Sequence, residues 1–570
     1  MDLLKISSII TFLSISFYLI PFKKGSSNII IIVVSGILYF LILLWENYVT
    51  KIVPDPYLDE VFHIPQAQAY CDGRFDVWDS KLTTPPGLYI LASFKVLIFQ
   101  KFRKISCDVH TLRSLNGVAL LITFLYACNC RLQITQSCKD VIHTAFNIAL
   151  FPPLFFFSGL FYTDVISVCF VLIAYKLVLD RKKGVHNYYN TLSLLITGII
   201  SLTIRQTNIF WTAIFLGATD LVNALELKEI QTGKPLHYND GRLNNILLNQ
   251  ANLLDYVYFT LKTFLVALNR PGLVVKQIWP FITLLVLFTS FVLWNGSVVL
   301  GDKSNHVAMI HLPQMLYIWP FITFFSAPLI IPIGIKILFN MKIFFLEAPK
   351  IFGLYQKHRK TWCYTFVALL TSVLIVRYNT IIHPFILADN RHYMFYIFRY
   401  TILRHPKIRF FLVPIYLICS CFTYLTLCNQ TLRLQKFKVY DQKTVGRVNG
   451  SVFSSSTRYE GPKISFVLIL LITTTLSLIT CPLVETRYFI VPWVLWRLNV
   501  PLAFNQSRAL RSNVARTTKG IKSRIVKILD YILWLETLWL LLINFGIGYT
   551  FLHQGFEWPQ EPGLVQRFIW

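Results

Sequence analysis

The sequence predicts an all-α membrane protein that crosses the bilayer many times. Of its 570 residues, 55% are hydrophobic and 14% charged, where a soluble chain carries about 25% charged residues. Mean hydropathy is +0.56. The apolar residues gather into runs close to the length of about 20 residues that carries a helix across hydrocarbon, and on that basis about 12–14 spans are expected. Residues 1–570 are read as one multi-span membrane domain.

The elements follow in order. The first apolar run, Ile6 to Pro21, stops at Phe22-Lys23-Lys24-Gly25. No small-residue cleavage site follows it, so it reads as an uncleaved anchor or interfacial helix. The second run, Asn28 to Leu44, is a better spanning helix, and it delivers residues 57–89 to one face as the first lumenal loop. Further spans are expected near 114–130, 143–160, 165–180, 191–204, 209–223, 278–294, 312–338, 361–378, 409–427, 464–482, 488–500 and 527–548. The segment 87–100 is short. If Asp59 and Arg181 lie on opposite faces, it cannot cross as a simple helix and either lies in the interface or re-enters. Residues 224–275 are the longest polar connection, read either as a cytoplasmic surface helix and loop or as an unstructured connector. Residues 440–460 are low in complexity.

The formal net charge is +27. Its Lys and Arg residues sit in many short loops, which matches the bias of cytoplasmic loops toward basic residues. Linkers at 181–183, 339–360, 433–463 and 508–527 mark that side, and 295–311, 379–400 and 481–488 fall on the other. The spread argues against a nucleic-acid partner, which needs one basic patch. Binding of anionic lipid or pyrophosphate on one face stays open. The eleven cysteines show no CxxC or zinc spacing and are read as small buried residues, not as ligands or disulfides. Of the sequons at Asn295, Asn429, Asn449 and Asn505, only Asn295 falls opposite the basic linkers.

Chemistry concentrates beside the spans. Asp59 and Glu60 are adjacent carboxylates at a membrane boundary, where charge is costly. On a helix their side chains point about 100° apart, so one can face a cavity while the other is structural. Either can serve as a general base, and the competing reading is an N-cap and first-turn acid opening a helix from Glu60 to Cys71. His63 lies one turn on; it either donates to a phosphate or to the base, or is a satisfied loop residue. Gln66 and Gln68 read sugar hydroxyls or face water. Thr83-Thr84-Pro85-Pro86-Gly87 is a rigid turn suited to a site wall.

A second cluster runs from His383 to Arg399 and contains Asp389, Asn390, Arg391 and His392 in one block. Arg391 and His392 suit a lipid phosphate. An interfacial aromatic belt accounts for Tyr393 and Phe395 but not for that block. In a third cluster Glu485 and Arg487 pair with each other or serve the site. Smaller polar interruptions are Tyr162-Thr163-Asp164, Arg205 to Asn208, and Gly301-Asp302 with His306 and His311. No GxGxxG, P-loop, HExxH or GxSxG pattern stands in a credible context, so a donor should reach the site from the bilayer.

Four stretches together resemble the endoplasmic-reticulum dolichyl-phosphate-glucose α-1,2-glucosyltransferases. They are Asp59-Glu-Val-Phe-His-Ile-Pro-Gln-Ala-Gln68, Lys81-Leu-Thr-Thr-Pro-Pro-Gly-Leu-Tyr89, Arg205-Gln206-Thr207-Asn208, and His383-Pro-Phe-Ile-Leu-Ala-Asp-Asn-Arg-His-Tyr393. The resemblance runs from about residue 54 to about residue 492. It implies a type C glycosyltransferase fold with lumenal active-site loops. It also implies inverting, metal-independent transfer of glucose from a β-linked dolichyl phosphate to a diglucosylated dolichyl-diphosphate oligosaccharide, with no cofactor. The family's acidic motif falls on Asp59 and Glu60, with Asp59 chosen as base. Substrate-binding roles are expected for His63, Gln66, Asp389, Asn390, Arg391, His392 and Arg487. Two other readings compete: a polytopic lipid or solute transporter, and a dolichyl-phosphate-mannose enzyme of the same fold. The first is disfavoured because no paired halves with matching broken helices are visible.

Overall fold

Charged residues that cannot face lipid sort this chain into a bundle with two distinct ends. The computed structural model describes residues 25–100, 105–135, 137–182, 187–231, 243–303, 309–335, 351–428, 461–501, 519–558 and 561–570. The apolar run 6–21, residues 440–460, His306, the sequons at 429, 449 and 505, and most of the basic linkers lie outside them.

Helix Gly25–Ile52 rises to the end that carries Asp59. Helix Val109–Ile134 starts at that end, where Asp108 accepts a hydrogen bond from the Thr111 amide at 2.7 Å. At the far end it closes with Arg131, whose guanidinium takes both oxygens of Asp140 at 3.0 Å and the Leu498 carbonyl at 2.6 Å. The chain returns in two pieces, Cys138–Ala149 and Pro152–Phe157. The break falls at Pro152-Pro153, since proline cannot continue a helix's hydrogen-bond ladder. Thr163–Lys182 then descends, from Asp164 near Asp59 to Arg181, which pairs with Asp220 at 3.1 Å. Tyr188–Ile204 climbs back and presents Arg205.

Among the described residues, six helices are long and apolar enough to span a bilayer, and a seventh candidate is the pair Gln314–Phe325 and Ala327–Ile335, bent by 92°. Further helices pass between the same two ends without meeting that standard. Thr163–Lys182 carries charges at both ends, while Ile464–Ile479 and Ile490–Asn499 are short. They are enclosed by protein, where lipid does not dictate length or polarity. The molecule is an all-α polytopic membrane protein with one small exception, an antiparallel pairing of Phe556–Trp558 with Glu561–Gln566 after the last helix.

Helix Gly87–Gln100 does not cross. It begins against Thr203, and Lys95 along it donates to the Thr111 carbonyl at 2.8 Å, so it stays at the Asp59 end. Leu88, Tyr89, Ala92 and Val96 are buried, while Ile90, Phe94, Leu97 and Ile98 form an outward apolar stripe. That is the pattern of a helix lying in the interface. Cys71 and Cys107 form a disulfide across this layer, which corrects the reading of all the cysteines as unpaired. No CxxC spacing announces it, because the partners are 36 residues apart in sequence. Within 224–275, Leu253–Leu268 is a helix on the surface, opened by an Asn252–Asp255 capping box.

Candidate active site

The expected helix after Asp59 forms over Glu60–Cys71. Asp59 occupies its N-cap position, but its side chain makes no capping bond. Leu58 just before it holds φ at +53°, a left-handed conformation unusual for a branched residue. The Tyr162 hydroxyl, at 3.2 Å from the Asp59 amide, fastens this kink. The result turns the two adjacent carboxylates to different surroundings.

Glu60 points into protein. It takes the Arg113 guanidinium at 2.6 and 2.9 Å and accepts the Tyr57 and Phe161 amides at 3.1 and 2.6 Å, and neither Glu60 nor Arg113 is exposed. Arg113 also donates to the carbonyls of Val53 and Asp55. Both carboxylate oxygens of Glu60 are engaged, so it ties the loop at 53–60 to the helix at 113 and the turn at 161 and does not line the cavity that Asp59 enters.

Asp59 faces a cavity of about 440 Å³. Its carboxylate meets Arg487 Nη1 at 2.9 Å and its side chain remains 45% exposed. Arg487 is held on its other side by Glu485, at 3.0 and 3.1 Å. Burial works against a charge on Asp59, but Arg487, with His63 and His392 adding, holds its carboxyl below the ordinary 3.8. His63 lines the same cavity, with Nδ1 2.7 Å from the Tyr89 hydroxyl. Burial pushes the His63 imidazole down to about 4, against the pull of Asp59, so it is neutral at physiological pH.

The expected wall at the Thr-Thr-Pro-Pro-Gly turn is present: Lys81, Leu82, Thr83 and Thr84 line the cavity. Gln206 donates to the Thr83 carbonyl at 2.7 Å. Asp302 and Leu300 donate their amides to Ser80 and Thr83 at 2.7 and 3.1 Å. Gly301 permits that approach, because a Cβ there would lie 2.2 Å from the Ser80 carbonyl oxygen at φ +63°. Residues near 301 therefore share the Asp59 end, as the spacing of the basic linkers implies.

The block at 389–392 divides. Asp389 and His392 line the cavity. Asn390 and Arg391 are not among its lining residues. The Arg391 guanidinium grips Asp389 at 2.8 Å twice, donates to Gln566 at 3.0 Å and lies 4.8 Å from the Trp558 ring. Gln66 also stays outside the lining: its amide donates to the Val77 carbonyl at 2.7 Å and accepts the Asp79 amide at 2.9 Å, shaping the loop that follows. Gln68 donates to the Cys107 carbonyl at 3.1 Å.

Several lining residues were singled out in the sequence without a role, or not at all. Arg205 reaches the cavity while paired with Asp164. Lys81, in a quoted motif but given no role, places its ammonium 5.0 Å from the Phe62 ring centre, with no carboxylate partner among the described residues. Trp570 closes one side.

One carboxylate and three cations, Asp59 with Lys81, Arg205 and Arg487, thus line a single cavity at one end of a many-span bundle, an arrangement chemically able to hold an anionic group. The chain belongs to the DIE2/ALG10 family, whose model matches residues 53–498. It is 38% identical to the Dol-P-Glc:Glc(2)Man(9)GlcNAc(2)-PP-Dol alpha-1,2-glucosyltransferase of Aspergillus fumigatus, over 93% of this chain and 96% of that one. The proteins of the same name from Gibberella zeae and Homo sapiens are 37% and 29% identical, covering 92% and 91% of this chain and 91% and 94% of theirs. Among solved structures, an archaeal oligosaccharyltransferase from Archaeoglobus fulgidus aligns over 90% of this chain and 56% of its own, at 12% identity and a TM-score of 0.33.

Proposed function

We propose that this chain transfers glucose from dolichyl-phosphate glucose to a diglucosylated dolichyl-diphosphate oligosaccharide in α-1,2 linkage, on the lumenal face of the endoplasmic-reticulum membrane. The observation that carries the reading is the Asp59 carboxylate, turned into a cavity that also receives Lys81, Arg205 and Arg487. The names of the relatives supply the sugar and the acceptor. A cavity of this volume accommodates a hexose with its phosphate.

The acceptor hydroxyl attacks glucose C1 as the bond from C1 to the phosphate oxygen breaks. The hydroxyl proton passes to Asp59, and dolichyl phosphate leaves with the bonding electron pair. A β-linked donor yields an α product by inversion. The leaving phosphate gains a negative charge in this step, and cations fixed beside it stabilise that charge most where water is excluded. Lys81 suits this role best, because Arg205 and Arg487 already hold carboxylates. Asp389 and His392, which line the same cavity, are assigned to the sugar hydroxyls. The lumenal placement is supported by the Cys71–Cys107 disulfide at the Asp59 end, since disulfides persist in oxidising compartments.

The deciding assay incubates the purified protein with dolichyl-phosphate glucose and a diglucosylated lipid-linked acceptor. A triglucosylated product is expected; its absence, or equal use of dolichyl-phosphate mannose, removes the reading. Lys81→Ala should raise the donor KM by about tenfold, the scale of one lost charge-assisted contact, and leave the acceptor KM within about twofold. An unchanged donor KM takes Lys81 out of the role.

A further inference from the structure

The family model ends at residue 498, yet one side of the cavity comes from residue 570. The last helix, Lys519–His553, returns the chain to the Asp59 end, and the strand pair then folds back over the site. Three sets of contacts dock the segment 561–570. Arg391 Nη1 donates to Gln566 Oε1 at 3.0 Å. The Tyr57 hydroxyl lies 2.7 Å from the Arg567 amide and 2.6 Å from its carbonyl, tying the segment to the loop that presents Asp59. Backbone bonds join Ile569 to the 391–393 segment as an isolated parallel bridge: Ile569 N to the Arg391 carbonyl at 2.9 Å, and Tyr393 N to the Ile569 carbonyl at 3.1 Å. The segment is thus stitched to both the Asp59 loop and the 389–392 block.

The docking delivers an aromatic ring. Trp570 lines the cavity beside His392, whose Nδ1 lies 3.2 Å from the Trp570 carbonyl. Its indole is backed by Tyr393 at 5.1 Å and Phe325 at 5.7 Å, so the orientation is fixed before any substrate arrives. A large aromatic plane beside polar groups, in a cavity that must hold a pyranose, offers its face to the C–H face of a sugar ring and leaves the hydroxyls to the polar groups.

We infer that the segment 561–570 is a wall of the active site and that Trp570 is a specificity-determining residue that packs against a hexosyl ring of the substrate. The inference rests on the glucosyltransferase reading for the identity of that ring. The ring comes either from the donor's glucose or from the acceptor's terminal glucose, and steady-state kinetics with each substrate varied in turn separates the two. Trp570→Ala in the full chain should raise one of the two KM values by about tenfold, equivalent to about 1.4 kcal/mol, with kcat changed by less than about threefold. Trp570→Phe, which keeps a ring, should stay within about threefold of the wild type on the same scale. A rise in donor KM assigns the donor glucose; a rise in acceptor KM assigns the acceptor glucose. Unchanged KM values, or a fall in kcat alone, overturn the inference. If the alanine variant does not purify as folded protein, Trp570→Leu takes its place, keeping bulk without a ring, with the same rise expected. The wild type is assayed beside the variants. Failure of the wild type to transfer glucose strikes the glucosyltransferase reading, whereas wild-type transfer with unaltered KM values in the variants strikes only the role of Trp570.

Discussion

The two ends of the bundle use the same residue types for different purposes. At the far end, Arg131 with Asp140 and Arg181 with Asp220 form pairs whose side chains are at most 4% exposed. Arg497 and Glu536 close a further pair at 2.6 Å, with neither partner exposed. At the Asp59 end the pair that lines the cavity is open on one side: Arg487 is 14% exposed and Asp59 45%. A closed pair has spent its charge on holding helices together. An open pair keeps one direction in which it can still meet a ligand. Asp59 and Glu60 show the contrast between neighbours, since Glu60 is closed by Arg113 and two amides while Asp59 is not.

The largest effect expected from breaking this contrast is on turnover. Asp59→Asn removes the proposed proton acceptor without changing shape, so kcat should fall by about 10²–10⁴, the usual worth of a positioned base. The melting temperature should stay near that of the wild type. A variant retaining a third or more of wild-type kcat would deny Asp59 the role.

Glu60→Gln should do the reverse. It leaves Arg113 charged and buried without its carboxylate, a loss on the order of 3–5 kcal/mol. The yield of monodisperse protein and its thermal midpoint should fall steeply, while the surviving folded fraction keeps its specific activity. Asp59→Asn and Glu60→Gln melting alike, or dying alike in the assay, would erase the distinction between the two carboxylates.

Much of this was legible in the sequence because it depends on local chemistry. Apolar runs gave the bundle, the helix at Glu60–Cys71 follows from its N-terminal acids, and the angle between consecutive helical side chains says that only one of Asp59 and Glu60 can face the cavity. Which one faces it was not legible, since that depends on Arg113 from a different helix and on the turn at Phe161. The surroundings of Arg391 were hidden for a similar reason. Its partners Trp558 and Gln566 lie more than 160 residues further on. Cys71 and Cys107 were hidden by their spacing, and Trp570 by lying in a short segment with no motif.

The disulfide tests whether the Asp59 end is held from outside as well as by its charges. Cys71→Ser with Cys107→Ser should cost about 2–4 kcal/mol of stability, as expected for opening a loop of this size. The far end should be untouched, so the loss should appear as earlier proteolysis near residues 72–106 and not as dispersal of the bundle. Alkylation before and after reduction should distinguish these two cysteines from the rest in wild-type protein. Free thiols at both positions in protein isolated under non-reducing conditions would count against an oxidising environment at this end.

The smallest effect sharpens the contrast by changing how open the Asp59 pair is. In the wild type the Asp59 carboxyl is held below 3.8, so the unfolded chain takes up a proton there before the folded one does. The interaction with Arg487 is therefore complete above the ordinary carboxylate range and is lost as pH falls through the lowered value. His63, pushed down to about 4, is neutral above that value and adds no step near its ordinary 6.5. Wild-type kcat/KM should accordingly stay flat on its acid side down to about pH 5. Arg487→Ala removes the main force lowering the Asp59 pKa, leaves burial opposing its charge, and strands Glu485 nearby as a second carboxylate. All three changes favour the protonated acid. The acid limb should rise by about one unit or more, the scale of a lost neighbouring guanidinium, whatever the variant's overall rate. A limb that stays in place in Arg487→Ala would mean that Arg487 does not control the ionisation of Asp59, and the open pair would then be a structural contact like those at the far end.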